Sequence, residues 1–514
     1  MCKGAMAMAT PKSKAAKSKA EKSKTTRPNI LFIMADQWPG HLLGAAGHPS
    51  IQTPTMDQLA DNGVRFTNAY TESPICIPAR RTVMTGMSPR GHGDRKFNET
   101  MPLPMDKPSL ASTFRNAGYQ SYATGKLHVY PQRDRIGFDD VILAEEGRQQ
   151  FAAIDDYEMH LSDNGFAGQQ FMGGMNNNEY VHRAWHLPER CHITNWITSQ
   201  ACRTIKRRDP TRPAFWHVSY THPHPPLAPL AAYLDIYRDW HIDEPISGSW
   251  DGDEKALPNL LRDVRDRWRR WTPAEIIAIR RAYYALITHI DHQIRVLIGT
   301  LREERVLDNT VILFTTDHGD MLGDFGLWAK RLYYEGSAGI PMILAGRAID
   351  KRIGYGKTDK RLVGLQDVMP TLLDIAGITV PKSVEGLSMI GRKRREFLFG
   401  EVNEGIDATR MIHDGRHKLI WYPLGNIVQL FDLQNDPHET RDCSSDPAYR
   451  TVRAELEALM AKELNGGDEA WARRGKLVGG KAPAYKRALN RGLTGQRGLQ
   501  YPQAPAALDA TWDT

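Results

Sequence analysis

The run Asn29-Ile30-Leu31-Phe32-Ile33-Met34-Ala35 is apolar without interruption from Ile30 and stops at Asp36-Gln37-Trp38-Pro39-Gly40. A surface helix or a half-exposed strand would carry polar residues along one side. An unbroken apolar run closed by polar and turn-forming residues predicts a central parallel strand buried on both faces. Asp36 and Gln37 then sit at its carboxyl end. Three further runs end in the same way. Tyr119 to Thr124 leads into Gly125-Lys126-Leu127-His128, and Ala214 to Tyr220 leads into Thr221-His222-Pro223-His224. Thr310 to Thr316 leads into Asp317-His318-Gly319-Asp320. A shorter strand is read at Val64 to Tyr70. Helical spacing fills the intervals, at Thr53 to Gly63, Ser109 to Asn116 and Pro188 to Arg208. The clearest helix, Trp271 to Arg305, opens with the capping box Thr272-Pro273-Ala274-Glu275 and repeats Ile279, Tyr283, Leu286, Ile290 and Ile294. Strands alternating with helices predict an α/β fold, with a large, mostly parallel central sheet flanked by helices.

A chain of 514 residues is long enough for one large domain and a smaller one. Residues 1–28 hold Lys3, Lys12, Lys14, Lys17, Lys19, Lys22, Lys24 and Arg27 against the single acid Glu21. This Ala/Lys/Ser tail is expected to be disordered. It accounts for most of the net charge of +7, so the body is near neutral and no nucleic-acid partner is expected. No apolar run approaches about 20 residues, so no membrane span is expected. The tail has no apolar signal-peptide core, and Cys2, Cys76, Cys191, Cys202 and Cys443 form no disulfide framework. A reducing, cytoplasmic location is the expectation. Residues 29–405 read as the catalytic domain, with residues 140 to 185 an insertion or substrate-side lid. From 406 to 514 the texture changes to a small α+β subdomain. There Arg410 to Tyr422 and Ile427 to Leu433 read as antiparallel strands, with a helix at about 446 to 464. The Gly-, Pro- and Ala-rich end is expected either to wrap a neighbour in a homo-oligomer or to fray.

The four polar clusters fall at carboxyl ends of parallel strands, where open α/β sheets place their ligands. Asp36, Gln37, Asp317 and His318 offer two carboxylates, an amide oxygen and an imidazole. That set suits Ca²⁺, Mg²⁺ or Mn²⁺, with the imidazole favouring Mn²⁺. A further stretch, Ser73-Pro74-Ile75-Cys76-Ile77-Pro78-Ala79-Arg80, puts one cysteine at the mouth of a helix that Gly86 can end. Arg80 lies one turn up the same face, placed to hold that side chain or an oxyanion.

Taken together these motifs resemble the formylglycine-dependent sulfatases of the alkaline phosphatase superfamily. The resemblance rests on Cys76-x-Pro78-x-Arg80, Gly125-Lys126-x-His128, Pro223-His224-x-Pro226, Thr316-Asp317-His318-Gly319 and Gly-Leu-Trp-Ala-Lys330, in that order along roughly residues 29 to 440. The Asp36-Gln37 and Asp317-His318 pairs are similar to those of choline sulfatases and phosphonate monoester hydrolases. Lys126 is similar to sulfatases and departs from the phosphonate hydrolases.

The resemblance implies an alkaline phosphatase-like fold and a Cys76 converted to formylglycine by a maturing enzyme. It implies one divalent metal, Ca²⁺ by family with Mn²⁺ or Mg²⁺ open, ligated by Asp36, Gln37, Cys76, Asp317 and His318. One hydroxyl of the aldehyde hydrate would attack sulfur and the other would expel sulfate, with His128 as base. Lys126 and Lys330 would neutralise the sulfuryl oxygens, and His224 or Lys330 would protonate the leaving alcohol. Arg80 would orient the hydrate, Asn98 would contact substrate, and His222 is a weaker substrate-side candidate. The implied substrate is a small-molecule or saccharide sulfate ester. The rival readings are a phosphonate monoester or phosphodiester hydrolase, and a non-catalytic binding protein that keeps the thiol. The second sits poorly with so many unused buried charges.

Overall fold

In the computed structural model Met1 and residues 27–487 are described, apart from 105, 149, 151–153 and 269–270. The expectations for the basic tail and for the last residues of the chain, including the proposed oligomer contact, lie outside the described residues. The opening apolar run is strand β1 (Asn29–Asp36), buried at every position. Its alternating side chains feed two different layers. Leu31, Ile33 and Ala35 pack with the Ile193–Lys206 and Pro273–Glu303 helices. Ile30, Phe32 and Met34 pack with Ala79 and Val83 of the Cys76–Thr85 helix and with Leu110 and Phe114 of the Leu110–Asn116 helix. Burial of a large apolar side chain contributes about 1.5–3 kcal/mol, so a strand buried on both faces has no alternative placement of comparable energy.

The main sheet adds β2 (Gly63–Tyr70), β3 (Gln120–Gly125), β4 (Asp140–Leu143), β5 (Ala214–Pro223), β6 (Thr310–Thr316), β7 (Met342–Ala345) and β8 (Lys357–Gly364). Its order is β4-β3-β5-β1-β6-β7-β2-β8. Only β7 runs against its neighbours, β6 and β2; the remaining pairs are parallel. The expected large, mostly parallel sheet is therefore present. Register aligns the strand ends: Ala35 pairs with Thr316, Asp36 with Pro223 and Gly125 with Ser219. Gly125 has φ +104, and a Cβ there would stand 1.9 Å from the Ser219 carbonyl oxygen. Only glycine allows β3 to leave the sheet that close to β5, and Lys126 follows immediately.

A four-stranded antiparallel sheet makes the small unit, in the order β12 (Ile427–Asp432), β11 (His417–Tyr422), β10 (Thr409–His413), β9 (Leu398–Val402). Two details differ from the sequence expectation. Arg410 to Tyr422 is a hairpin, not one strand, because Asp414 accepts the Arg416 and His417 N–H groups while Gly415 takes φ +95. The small sheet also draws its first strand from Leu398–Val402, ahead of the break read at 405, because β9 pairs with β10 along its length. The Arg450–Glu463 helix covers the sheet, placing Leu456 and Met460 against Ile412, Leu419 and Trp421. Among the described residues no helix is long and apolar enough to cross a membrane.

The small unit is tied to the main one by buried charge. Arg410, fully buried, donates through Nε to Asp468 at 2.8 Å and through Nη1 to the carbonyls of Val402, Asn403 and Thr409. Asp468 also accepts from Arg95 Nη1 at 2.7 Å, and Asn403 N–H donates to the Arg95 carbonyl. Asp468→Ala would leave Arg410 buried without its counter-ion, a change that costs about 3–5 kcal/mol. Urea unfolding should show that loss, with Asp468→Asn milder; a loss below about 1 kcal/mol would remove this pair from the account.

Candidate active site

Because β3, β5, β1 and β6 are consecutive in the sheet, the four polar clusters converge at one edge. Cys76 opens the Cys76–Thr85 helix, which is presented to that edge by the turn after β2. Its Sγ lies 3.3 Å from His318 Nε2 and 3.3 Å from Lys330 Nζ. The side chains of Asp36, Cys76, Asp317 and His318 bring one ligand atom each within 4.8 Å of one another, all buried.

Arg80 turns to the carboxylates instead of Cys76. Its Nε donates to Asp317 Oδ2 at 2.9 Å and its Nη2 reaches Asp36 Oδ2 at 3.3 Å, while Nη1 donates to the Lys126 carbonyl and Ser219 Oγ. Two buried carboxylates without a counter-ion would cost far more than a contact to a thiol returns. Lys126, with no exposed side-chain surface, pairs with Asp36 Oδ2 at 2.6 Å and Glu146 Oε2 at 2.8 Å. Burial alone would raise the Asp36 pKa, but Lys126, His224, Arg80 and Lys330 outweigh it and hold the carboxyl well below its usual range.

The donor set suits a divalent cation on the molecule's own chemistry. Asp36 Oδ1 is buried and has no hydrogen-bond partner. His318 Nδ1 lies 3.0 Å from the Gly319 carbonyl and can donate to it, which turns Nε2 toward Asp36 Oδ1 and Asp317 Oδ1, each at 3.8 Å. Burial lowers the imidazole pKa, yet Asp317 and Cys76 outweigh it and raise it, so the surroundings favour positive charge at this position. Gln37 presents its Oε1 to the same space, where it accepts from Lys330 Nζ at 2.8 Å. Burial and Asp36 push the Cys76 thiol up, but Lys330, Lys126 and His318 together hold it below its ordinary value.

His128 is held by its own backbone, whose N–H donates to Glu145. Its two ring nitrogens are buried without hydrogen-bond partners. Burial, and after it Lys126, Arg148 and Arg80, push its pKa well down, so the ring is neutral. His224 Nδ1 lies 2.8 Å from the Pro225 carbonyl, and its Nε2 is buried and unpartnered. His222 Nδ1 lies 3.2 Å from the His224 carbonyl, and both imidazoles line a cleft with Phe171, Met175 and Trp185. Asn98 stands apart from Cys76 in its bonding: its Oδ1 accepts from Thr100 N and Oγ1. Its neighbours face inward, Phe97 edge-on to His128 at 5.6 Å between ring centroids and Glu99 accepting from Arg148 at 3.2 Å.

Four groups were not singled out from sequence. Glu145, Glu146 and Arg148 lie in the aperiodic 140 to 185 stretch, which gives no period to read. Glu146 bridges Lys126 and Arg148 and lies 3.6 Å from His224; these neighbours, His224 first and then the two cations, overcome burial and draw its pKa down to about 2. The fourth is Asp320, which the Asp317-His318-Gly319-Asp320 motif contained without a role.

Comparison with known proteins accords with this geometry. The chain matches the family model described as Sulfatase over residues 28–378 and one described as N-sulphoglucosamine sulphohydrolase, C-terminal, over residues 323–465. It is 35% identical over 472 residues to an arylsulfatase of Clostridium perfringens, spanning 88% of this chain and 98% of that protein. It is 30% identical over 448 residues to a choline-sulfatase of Rhizobium meliloti, spanning 85% and 86%. In fold it is similar to a phosphonate monoester hydrolase of Agrobacterium radiobacter, with a TM-score of 0.73 at 24% identity over 85% of this chain and 96% of that one. The Sulfatase match alone runs through most of the chain, from the start of β1 to the end of the main sheet, and the protein is accordingly a member of the sulfatase family, an enzyme of sulfate ester hydrolysis within the alkaline phosphatase superfamily.

Proposed function

We propose that the chain hydrolyses sulfate esters with a nucleophile made from Cys76 by conversion to formylglycine, beside a divalent ion held by Asp36, Gln37, Asp317, His318 and the matured Cys76. The observation that carries this reading is the crowding of buried anionic and lone-pair donors around Cys76, with Lys330 at 3.3 Å. When bound, the ion supplies Lewis-acid stabilisation of sulfuryl charge and favours the ionised nucleophile. Ca²⁺, Mg²⁺ and Mn²⁺ all suit the oxygen-rich set. The arylsulfatase and choline-sulfatase relatives, at 35% and 30% identity, are named for sulfate esters, which favours a sulfate over a phosphonate substrate.

The chain's own residues divide the remaining work. Lys330, three donors on a flexible stem, reaches both Gln37 Oε1 and Cys76 Sγ and is placed to hold a sulfuryl oxygen. With His224 Nδ1–H donating to Pro225, the neutral ring offers only a lone pair at Nε2. Lys330 is therefore the better proton source for the leaving alcohol. Neutral His128, with no partner at either nitrogen, is ready to take the proton whose loss releases sulfate. The cleft beside His224 gives the leaving alcohol a place, and Phe171 and Trp185 offer faces to a flat aryl or saccharide ring.

Three outcomes test this reading. A hydrazide should label the Cys76 peptide of active protein, and thiol alkylation should leave activity intact. Fully active protein whose Cys76 peptide has the unmodified mass would overturn the formylglycine mechanism.

Asp317→Ala should abolish binding of the divalent ion in elemental analysis and lower kcat by at least about 10²–10³-fold. Wild-type metal content in that variant would refute the ligand assignment.

His128→Asn should keep the first release of alcohol and slow the steady state by about 10²–10⁴-fold. Rapid-quench kinetics would then show a burst; equal slowing of both phases would take the second-step role away from His128.

A further inference from the structure

Gln37 can serve the proposed site only if its amide oxygen, not its NH₂, faces inward. The two ends of a primary amide have nearly the same shape, so something else must choose between them. Its backbone is already pinned: Gln37 N–H donates to Asp317 Oδ1 at 3.1 Å, and the Tyr283 hydroxyl donates to the Gln37 carbonyl. Neither contact senses which end of the side-chain amide points inward.

Asp320 does. Its carboxylate, 1% exposed, accepts Gln37 Nε2 at 2.6 Å through Oδ2. The same oxygen accepts the Tyr180 hydroxyl at 2.6 Å, and Oδ1 accepts Leu322 N–H at 2.9 Å and Ala329 N–H at 3.1 Å. Each carboxylate oxygen thus accepts two neutral donors. A carboxylate in that position forces Gln37 to present its NH₂ outward and its oxygen to the site, where Lys330 Nζ meets it at 2.8 Å. Ala329, whose N–H also donates to the Tyr180 hydroxyl at 2.9 Å, immediately precedes Lys330. Tyr180 is itself clamped edge-on between Trp268 and Trp328, at 5.0 and 4.9 Å between ring centroids.

We infer that Asp320 is a positioning residue that sets the donor sense of the Gln37 amide, and through it the affinity of the site for a divalent cation. The inference rests on the metal reading proposed above.

Asp320→Asn is nearly isosteric but self-contradictory at this position. If the new amide turns its oxygen to Gln37, its NH₂ meets the Leu322 and Ala329 N–H groups. If it turns its NH₂ to Gln37, the Gln37 amide must flip and point donors at the cation. Either arrangement leaves buried polar groups unsatisfied. The exchange Asp320→Asn with Gln37→Glu resolves the conflict. The substituted amide would keep both backbone donors on its oxygen and donate to a carboxylate at position 37, which shows oxygen on both ends.

Calcium and manganese chlorides titrated calorimetrically into chelator-stripped full-length protein would read the effect. Asp320→Asn should bind at least about tenfold more weakly than wild type. The double variant should return to within about threefold, and should exceed Gln37→Glu alone, in which carboxylate faces carboxylate. Wild-type affinity in Asp320→Asn, or a double variant no better than either single one, would overturn the inference, leaving Asp320 as a loop staple. If Asp320→Asn fails to fold, the double variant decides against Gln37→Glu. A wild-type protein that takes up neither ion would instead overturn the metal reading on which the inference stands.

Discussion

The rest of the site depends on one arrangement, two carboxylates buried side by side and held by a single guanidinium. Asp36 and Asp317 end adjacent strands, and each on its own would pay several kcal/mol to leave water. Arg80 spans them at 3.3 and 2.9 Å, and the helix that carries Arg80 begins with Cys76. Neutralising the pair thus fixes where Cys76 stands. The same contact explains why the helix packs where it does: its apolar side chains meet β1 from one layer, and Arg80 meets the end of that strand.

From this centre the charges alternate outward. Asp36 meets Lys126, Lys126 meets Glu146, Glu146 meets Arg148 and Arg148 meets Glu99, at 2.6, 2.8, 3.4 and 3.2 Å. These residues come from strand ends and loops, so segments without secondary structure are ordered by electrostatics that begin at the sheet. Such a chain is unforgiving of deletion at its buried members, since removing Asp36, Lys126 or Glu146 deprives a buried neighbour of a counter-ion.

What the sequence disclosed follows from this division. Residues fixed by the sheet were legible: apolar runs announce buried strands, and the polar residues that stop them, Asp36, Lys126, His224 and Asp317, mark one edge. Partners supplied by loops were not. Glu146, Arg148 and Tyr180 sit in a stretch whose Gly, Asn and Gln content shows no period. Arg80 was legible as a cation near Cys76, but its partners are far away in the chain, and its direction follows from buried charge that sequence spacing does not encode. The antiparallel β7 and the hairpin at Gly415 were missed for a related reason, being too short to carry a pattern.

The burial of Cys76 has a consequence in time. Its side chain is 1% exposed, and the groups that close over it include His318 and Lys330. Lys330 is synthesised roughly 250 residues after Cys76. At about 5–20 residues per second, that interval lasts roughly 10–50 s. For most of it the nascent chain has Cys76 but neither β6 nor the lysine that seals the pocket. Any macromolecule that must grip the Cys76 segment in extended form has that interval as its window, and afterwards competes with the folding free energy of the whole sheet.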